Sequence, residues 1–152
     1  MKDLTAADIM KKNVVTVKEE TTVEDLARLL SKHKISGAPV VNDNNQVVGI
    51  VSEGDLVSLD ADIHFPHYVQ FLDSVIFLES TKKFEERVRK AAATAVADIM
   101  IADVITVQKD TPAHEVATVM TDKRVNRLPV LDGDILVGII TRADLVRAIS
   151  GR

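Results

Sequence analysis

Residues Ile139–Val146 read Ile-Ile-Thr-Arg-Ala-Asp-Leu-Val, and residues Ile50–Val57 read Ile-Val-Ser-Glu-Gly-Asp-Leu-Val. Each is an apolar run, a hydroxyl residue, two variable residues, an aspartate and a second apolar pair. Outward from these stretches the agreement continues. Ala7-Asp8-Ile9-Met10 returns intact as Ala97-Asp98-Ile99-Met100, Val14–Val17 as Val104–Val107, and Pro39-Val40 as Pro129-Val130, all at an offset of 90. From Gly49 and Gly138 onward the offset is 89, so the second copy lacks one residue. The loss falls between Asn42-Asp43-Asn44-Asn45 and Asp132-Gly133-Asp134, where a hairpin turn tolerates it. Ordered recurrence at constant spacing marks an internal duplication. The organisation read from it is a first repeat over 1–57, an insert over 58–92 and a second repeat over 93–152.

Each copy has the same pattern. A short β-branched strand (Val14–Val17; Val104–Val107) precedes a helix opening at Thr21 or Thr111. Thr21-x-x-Glu24 has the spacing of a capping box, and Pro112 suits a first helical turn. Val23, Leu26, Ala27 and Leu30 form one apolar face, with Ala113, Val116, Ala117 and Met120 as its counterpart. A hairpin follows (Ala38–Val41 with Val47–Val51; Leu128–Leu131 with Leu136–Ile140), and a second helix starts at Ser52 or Thr141. The fold class is therefore mixed α/β (α+β): two β-α-β-β-α repeats packed together with a helical insert between them. A single copy is small for an independent core, so the repeats are expected to share one.

The insert belongs to neither copy. Its first part holds every aromatic residue except Phe84, and its second part carries Glu85–Arg89 and Glu86–Lys90 at helical i,i+4 spacing. It reads as a lid or dimer contact, or as a docking element for a partner.

The 152 residues are 46% apolar and 28% charged, with a formal charge of −4 and no cysteine. That balance lacks the basic excess of a nucleic-acid footprint. It also leaves no disulfide framework and no thiolate metal site. Neither a secretory leader nor a membrane-length apolar run is evident, so a soluble cytoplasmic protein is expected. His64 and His67 could share a helical face, but Pro66 lies between them and no third ligand is near, so no metal site is assigned. Nucleophile-elbow, phosphate-loop and dinucleotide fingerprints do not occur. No catalytic residues are assigned, and the chain is not expected to be an enzyme.

Ser52-x-x-Asp55 and Thr141-x-x-Asp144 have the form of helix starts. Glutamate would reach back to the cap better than aspartate, and an exposed helix N-terminus can also hold an anion. Each motif is accompanied by a proline segment, Ser36-Gly37-Ala38-Pro39 or Asn126-Arg127-Leu128-Pro129. In this order and in duplicate, the signals resemble a tandem pair of CBS (cystathionine-β-synthase) domains, a Bateman module, over about residues 5–57 and 95–149. The resemblance implies repeats related by a pseudo-two-fold axis with two clefts for adenosine-containing ligands: AMP, ADP, ATP or S-adenosylmethionine. It implies a regulatory role toward an unidentified protein, no catalytic cofactor, and a homodimer through the second helices. Leu56, Val57 and Leu59 with Leu145, Val146 and Ile149 are the candidate contacts there. The alternative is a structural dimerisation module whose Ser/Thr-x-x-Asp motifs only cap helices.

By position, the resemblance places Asp144 and Thr141 with Met10, Val15, Ser36 and Gly37 in one cleft, bordered by Asn126 and Arg127. It places Asp55 and Ser52 with Met100, Ile105, Asn126 and Arg127 in the other, with Ser36 and Gly37 at its phosphate end. In the family the aspartate accepts the ribose hydroxyls. Arg142 and Arg127 in the second copy stand where the first has Glu53 and Gly37. One unit charge about 6 Å from a phosphate, at an effective dielectric of about 20, contributes roughly 2–3 kcal/mol before screening. The Asp144 cleft is therefore the expected main site, and the Asp55 cleft the weaker one.

Overall fold

A computed structural model describes residues 3–63, 68–71, 74–77 and 94–151. Along the chain run α1 (Ala6–Ile9), α2 (Val23–His33), β1 (Gly37–Val41), β2 (Val47–Ser52), α3 (Glu53–Ile63), β3 (Tyr68–Phe71) and β4 (Ser74–Phe77). The second half contributes α4 (Val96–Ile99), β5 (Val107–Gln108), α5 (Ala113–Lys123), β6 (Arg127–Asp132), β7 (Ile135–Thr141) and α6 (Arg142–Ile149).

The duplicated hairpins form as expected. β1 pairs antiparallel with β2, and β6 with β7, each with a register shift one residue past Val40 or Val130. The missing residue is absorbed at the tip. Asp132 pairs with Ile135 around a two-residue turn whose Gly133 has φ +64°. In the first copy Asn42 Oδ1 instead accepts the amides of Asn44 and Gln46, both at 3.0 Å, and holds a longer turn.

The expected strands at 14–17 and 104–107 are not formed. Val17 makes a single parallel bridge to Val40, and only Val107–Gln108 pairs with Val130–Leu131. Residues 14–16 and 104–106 are β-branched but lack ladder partners, and propensity without a partner does not make a strand. The cap of α2 also differs from expectation. Thr22, not Thr21, accepts the Asp25 amide at 3.1 Å, while the Thr21 hydroxyl accepts the Lys18 amide at 3.2 Å. In the second copy Pro112 is itself the N-cap, one residue after the expected start at Thr111.

The packing units cross the sequence repeats. The Ala6 amide donates to the Thr111 carbonyl at 2.8 Å, and Lys11 and Ile139 exchange backbone bonds at 2.9 and 3.0 Å. In mirror fashion Val96 donates to Thr21 at 2.7 Å, and Ile101 exchanges two 2.9 Å bonds with Ile50. One buried cluster therefore joins Ala6 to Val116, Leu128, Val130 and Ile140, and the other joins Val96 to Leu26, Val40 and Val51. The expected shared core is two clusters, each completed by the other copy's N-terminal arm. The arms seat on glycine: a Cβ on Gly138 would run into Met10, and one on Gly49 into Met100.

α3 continues to Ile63, past the expected start of the insert, and β3 pairs antiparallel with β4. The expected helix around 85–90 lies outside the described residues, as do His64 and His67. Among the described residues no helix is long and apolar enough to cross a membrane.

Candidate functional site

The link from each swapped arm back to its own repeat, residues 11–15 in the first copy, runs between the two clusters. There it walls a cavity of about 660 Å³. Val14 and Val15 come from the link, Ser36 and Gly37 from the loop before β1, and Asn126 and Arg127 from the equivalent loop before β6. Thr141 and Arg142 come from the start of α6. Seven of the residues expected in the main cleft thus converge: Val15, Ser36, Gly37, Asn126, Arg127, Thr141 and Arg142. Ser52, expected in the weaker cleft, lines the same opening with Glu53 and Gly54.

Met10 and Asp144 lie on a neighbouring cavity of about 470 Å³. Lys11 lines both spaces. Asp55, Met100 and Ile105 are not among the described lining of the large cavity. Met100 packs on the first hairpin's cluster and Ile105 on the second's.

Both aspartates reach back to the cap, although glutamate was expected to reach it better. Asp144 Oδ2 accepts the Thr141 amide at 2.7 Å and the Thr141 hydroxyl at 2.9 Å. Asp55 Oδ2 does the same for Ser52 at 2.8 and 3.2 Å. Asp8 and Asp98 accept the amides of Thr5 and Ala95 at 2.8 and 2.9 Å in α1 and α4. The Thr5 amide and hydroxyl hold the Asp8 carboxyl below its ordinary range. Aspartate at this position is therefore a capping device used four times, and capping alone does not mark a ligand. The two site aspartates differ at the other oxygen. Asp144, 3% exposed, has Oδ1 paired with the Arg147 guanidinium. The residue in the matching place after Asp55 is Ser58.

Arg127 reaches across to the other repeat. Its Nη2 donates to Ser36 Oγ at 2.7 Å, and its guanidinium lies where a Cβ on Gly37 would be, with Cζ at 2.7 Å. Gly37 is thus required by close approach, not by backbone torsion. Burial pushes the guanidinium below its usual value, opposed by the charges of Glu53 and Asp55. It remains a cation, and a partly desolvated cation gains from an incoming anion.

Sequence reading missed two of the cavity's cations, Lys11 and Lys34. Lys34 closes α2 in the left-handed conformation, φ 52°, and lines the cavity. Lys11 was findable by the offset: its counterpart is Ile101, as Asp103 is that of Asn13 and Glu53 that of Arg142. Among the described lining residues, Lys11, Lys34, Arg127 and Arg142 face one acid, Glu53. In a chain of formal charge −4, the described lining of this one opening thus carries a formal +3.

The CBS domain model matches residues 6–62 and 96–151. An uncharacterized protein of Methanocaldococcus jannaschii, MJ1426, is 36% identical over 150 residues, covering 93% of this chain and 89% of its own. CBS domain-containing protein CBSX2 of Arabidopsis thaliana is 32% identical over 95% of this chain, which spans 63% of that relative's length. The crystal structure of CBSX2 in complex with AMP matches with a TM-score of 0.74 at 29% identity, covering 97% of this chain and 96% of that one. The CBS domain pair of protein MJ0100, in complex with 5′-methylthioadenosine and S-adenosyl-L-methionine, shares the fold at 24% identity. It matches with a TM-score of 0.73, covering 97% of each chain. With two family matches, paired hairpins and exchanged arms around one inter-repeat cleft, this chain belongs to the CBS-domain family as a tandem CBS pair.

Proposed function

We propose that the cleft binds an adenine nucleotide, with phosphates among Lys11, Arg127 and Arg142 and the ribose toward Asp144, and that occupancy is signalled to a partner protein. No reaction is assigned to the chain. The observation that carries this reading is the cluster of four cations against one acid among the described lining residues. AMP is bound by CBSX2, which supports the ligand class. The Asp144 side is the stronger half because its link carries Lys11 and Asn13 where the Asp55 side carries Ile101 and Asp103. The Asp55 half, with Ser52, Met100 and Ile105, takes a less anionic ligand or none. S-Adenosylmethionine carries a sulfonium where a nucleotide carries phosphate, so it ranks below AMP, ADP and ATP.

A homodimer through α3 and α6 belongs to the same reading. Val57, Val146 and Ile149 are 67%, 64% and 69% exposed, and Val57 and Val146 are equivalent positions. Leu145 and Leu56, expected at that contact, instead pack into their own repeats' clusters.

Thermal unfolding with AMP, ADP, ATP, S-adenosylmethionine and 5′-methylthioadenosine tests the assignment. Ligand at about 100 times its Kd adds about 2.7 kcal/mol, and about 2–4 °C per kcal/mol is expected at this size. The nucleotides should raise Tm by about 5–10 °C, less at high salt. A panel in which none of the five raises Tm rejects the reading.

A further inference from the structure

We propose that Arg147 is a built-in competitor for the ligand at Asp144, an autoinhibitory counter-ion that must leave before a ribose diol is bound. The proposal rests on the nucleotide reading of the cleft and adds what regulates it. Asp144 is almost fully buried and both of its oxygens are engaged: Oδ2 by the Thr141 amide and hydroxyl, Oδ1 by Arg147. A ribose diol donates two hydrogen bonds; Oδ2 already accepts two within the cap at the start of α6, and of the two acceptor sites on Oδ1 Arg147 takes one. Oδ1 is the oxygen that can change partners, because the Arg147 side chain is about half exposed and swings out on a flexible stem. Asp55 has the same cap without this counter-ion, since Ser58 replaces the arginine. The duplication therefore built two acceptors and restrained one, the one beside the cationic cavity.

The restraint also has a direction. Arg147 lies on α6 between the exposed Val146 and Ile149. When a diol displaces it, a guanidinium joins the exposed apolar side chains of that helix, and the surface offered to a partner changes with occupancy.

Isothermal titration of AMP, adenosine and 2′,3′-dideoxyadenosine into wild type and Arg147→Gln tests the assignment. Losing a half-exposed ion pair should tighten AMP and adenosine alike, by about fivefold, and leave the dideoxynucleoside unchanged. If Arg147 served the phosphate instead, AMP would weaken and adenosine would not move. That result, or unchanged AMP and adenosine, overturns the proposal. Arg147→Met, which keeps the aliphatic stem, is made in parallel. Wild type supplies a readout that needs no variant: binding of uncharged adenosine should strengthen with added salt as the ion pair is screened. Adenosine binding that salt leaves unchanged or weakens counts against the proposal. Failure of the nucleotide reading is separately visible, because then neither wild type nor variants bind any of the three compounds.

Discussion

Removing the Arg127 side chain separates its two roles. In the unliganded protein it donates to Ser36 Oγ at 2.7 Å and covers Gly37. A charge-assisted bond at a partly exposed site contributes about 1 kcal/mol. Its loss is offset in part because the guanidinium no longer has to be desolvated. Arg127→Ala should therefore lower Tm by no more than about 2–4 °C for a chain of this size. The liganded state loses more. A full charge at about 6 Å is worth roughly 2–3 kcal/mol unscreened and about half that in physiological salt. AMP should bind about tenfold more weakly, whereas adenosine, which has no phosphate, should change by less than about twofold. Arg127→Lys, keeping the charge but not the planar fork, should fall between. Calorimetric titrations of the three proteins at low and high salt measure these differences. Equal losses for AMP and adenosine would refute the electrostatic role and leave Arg127 as a packing residue.

Two further outcomes follow from the packing. Gly138→Ala should cost about 1–3 kcal/mol by overpacking against Met10. Thermal unfolding should show most of that cost disappearing in the Met10→Ala background, since the two sites are coupled by contact. Charging both exposed valines, as Val57→Asp with Val146→Asp, should shift the sedimentation coefficient from dimer to monomer at micromolar concentration while Tm of the separated chain stays within a few degrees. An unchanged coefficient places the dimer contact elsewhere or removes it.

The hairpins and helices were legible because each is announced locally, by an apolar face of the right period or by turn residues at a fixed place. The exchange of N-terminal arms has no local signal; only the family resemblance implied it, by setting Met10 beside Asp144 and Met100 beside Asp55. Met10 stands to Gly138 as Met100 stands to Gly49, but a duplicated sequence offers Met10 either glycine with equal local merit. Internal symmetry conceals which copy a contact belongs to. The 14–17 strand failed for a related reason: its β-branched residues fit a strand, but only Val17 finds a partner, and its neighbours wall the cavity instead. At the site, the hydroxyl–aspartate spacing located both helix starts correctly but does not by itself separate a ligand site from a plain cap. The same aspartate cap also begins α1 and α4. What distinguishes the cleft is charge, and half of it, Lys11 and Lys34, lay outside the motifs.

The exchanged arms also bear on how a ligand could be sensed. Between Met10, which packs with the second hairpin, and Val17, which packs with the first, the chain must cross from one cluster to the other. The cavity is walled by that crossing, through Lys11, Asn13, Val14 and Val15. A nucleotide held there by Arg142 of one repeat, Ser36 of the other and the crossing itself would touch both clusters and the segment joining them. Arg127 already bridges the repeats through Ser36, and a phosphate that recruits it would exchange a contact between repeats for one to ligand. Occupancy then shifts the relation of the two repeats only by the difference in affinity between arrangements. On the proposed reading that difference would be concentrated in the side chains that change partner on binding, Arg127 and Arg147.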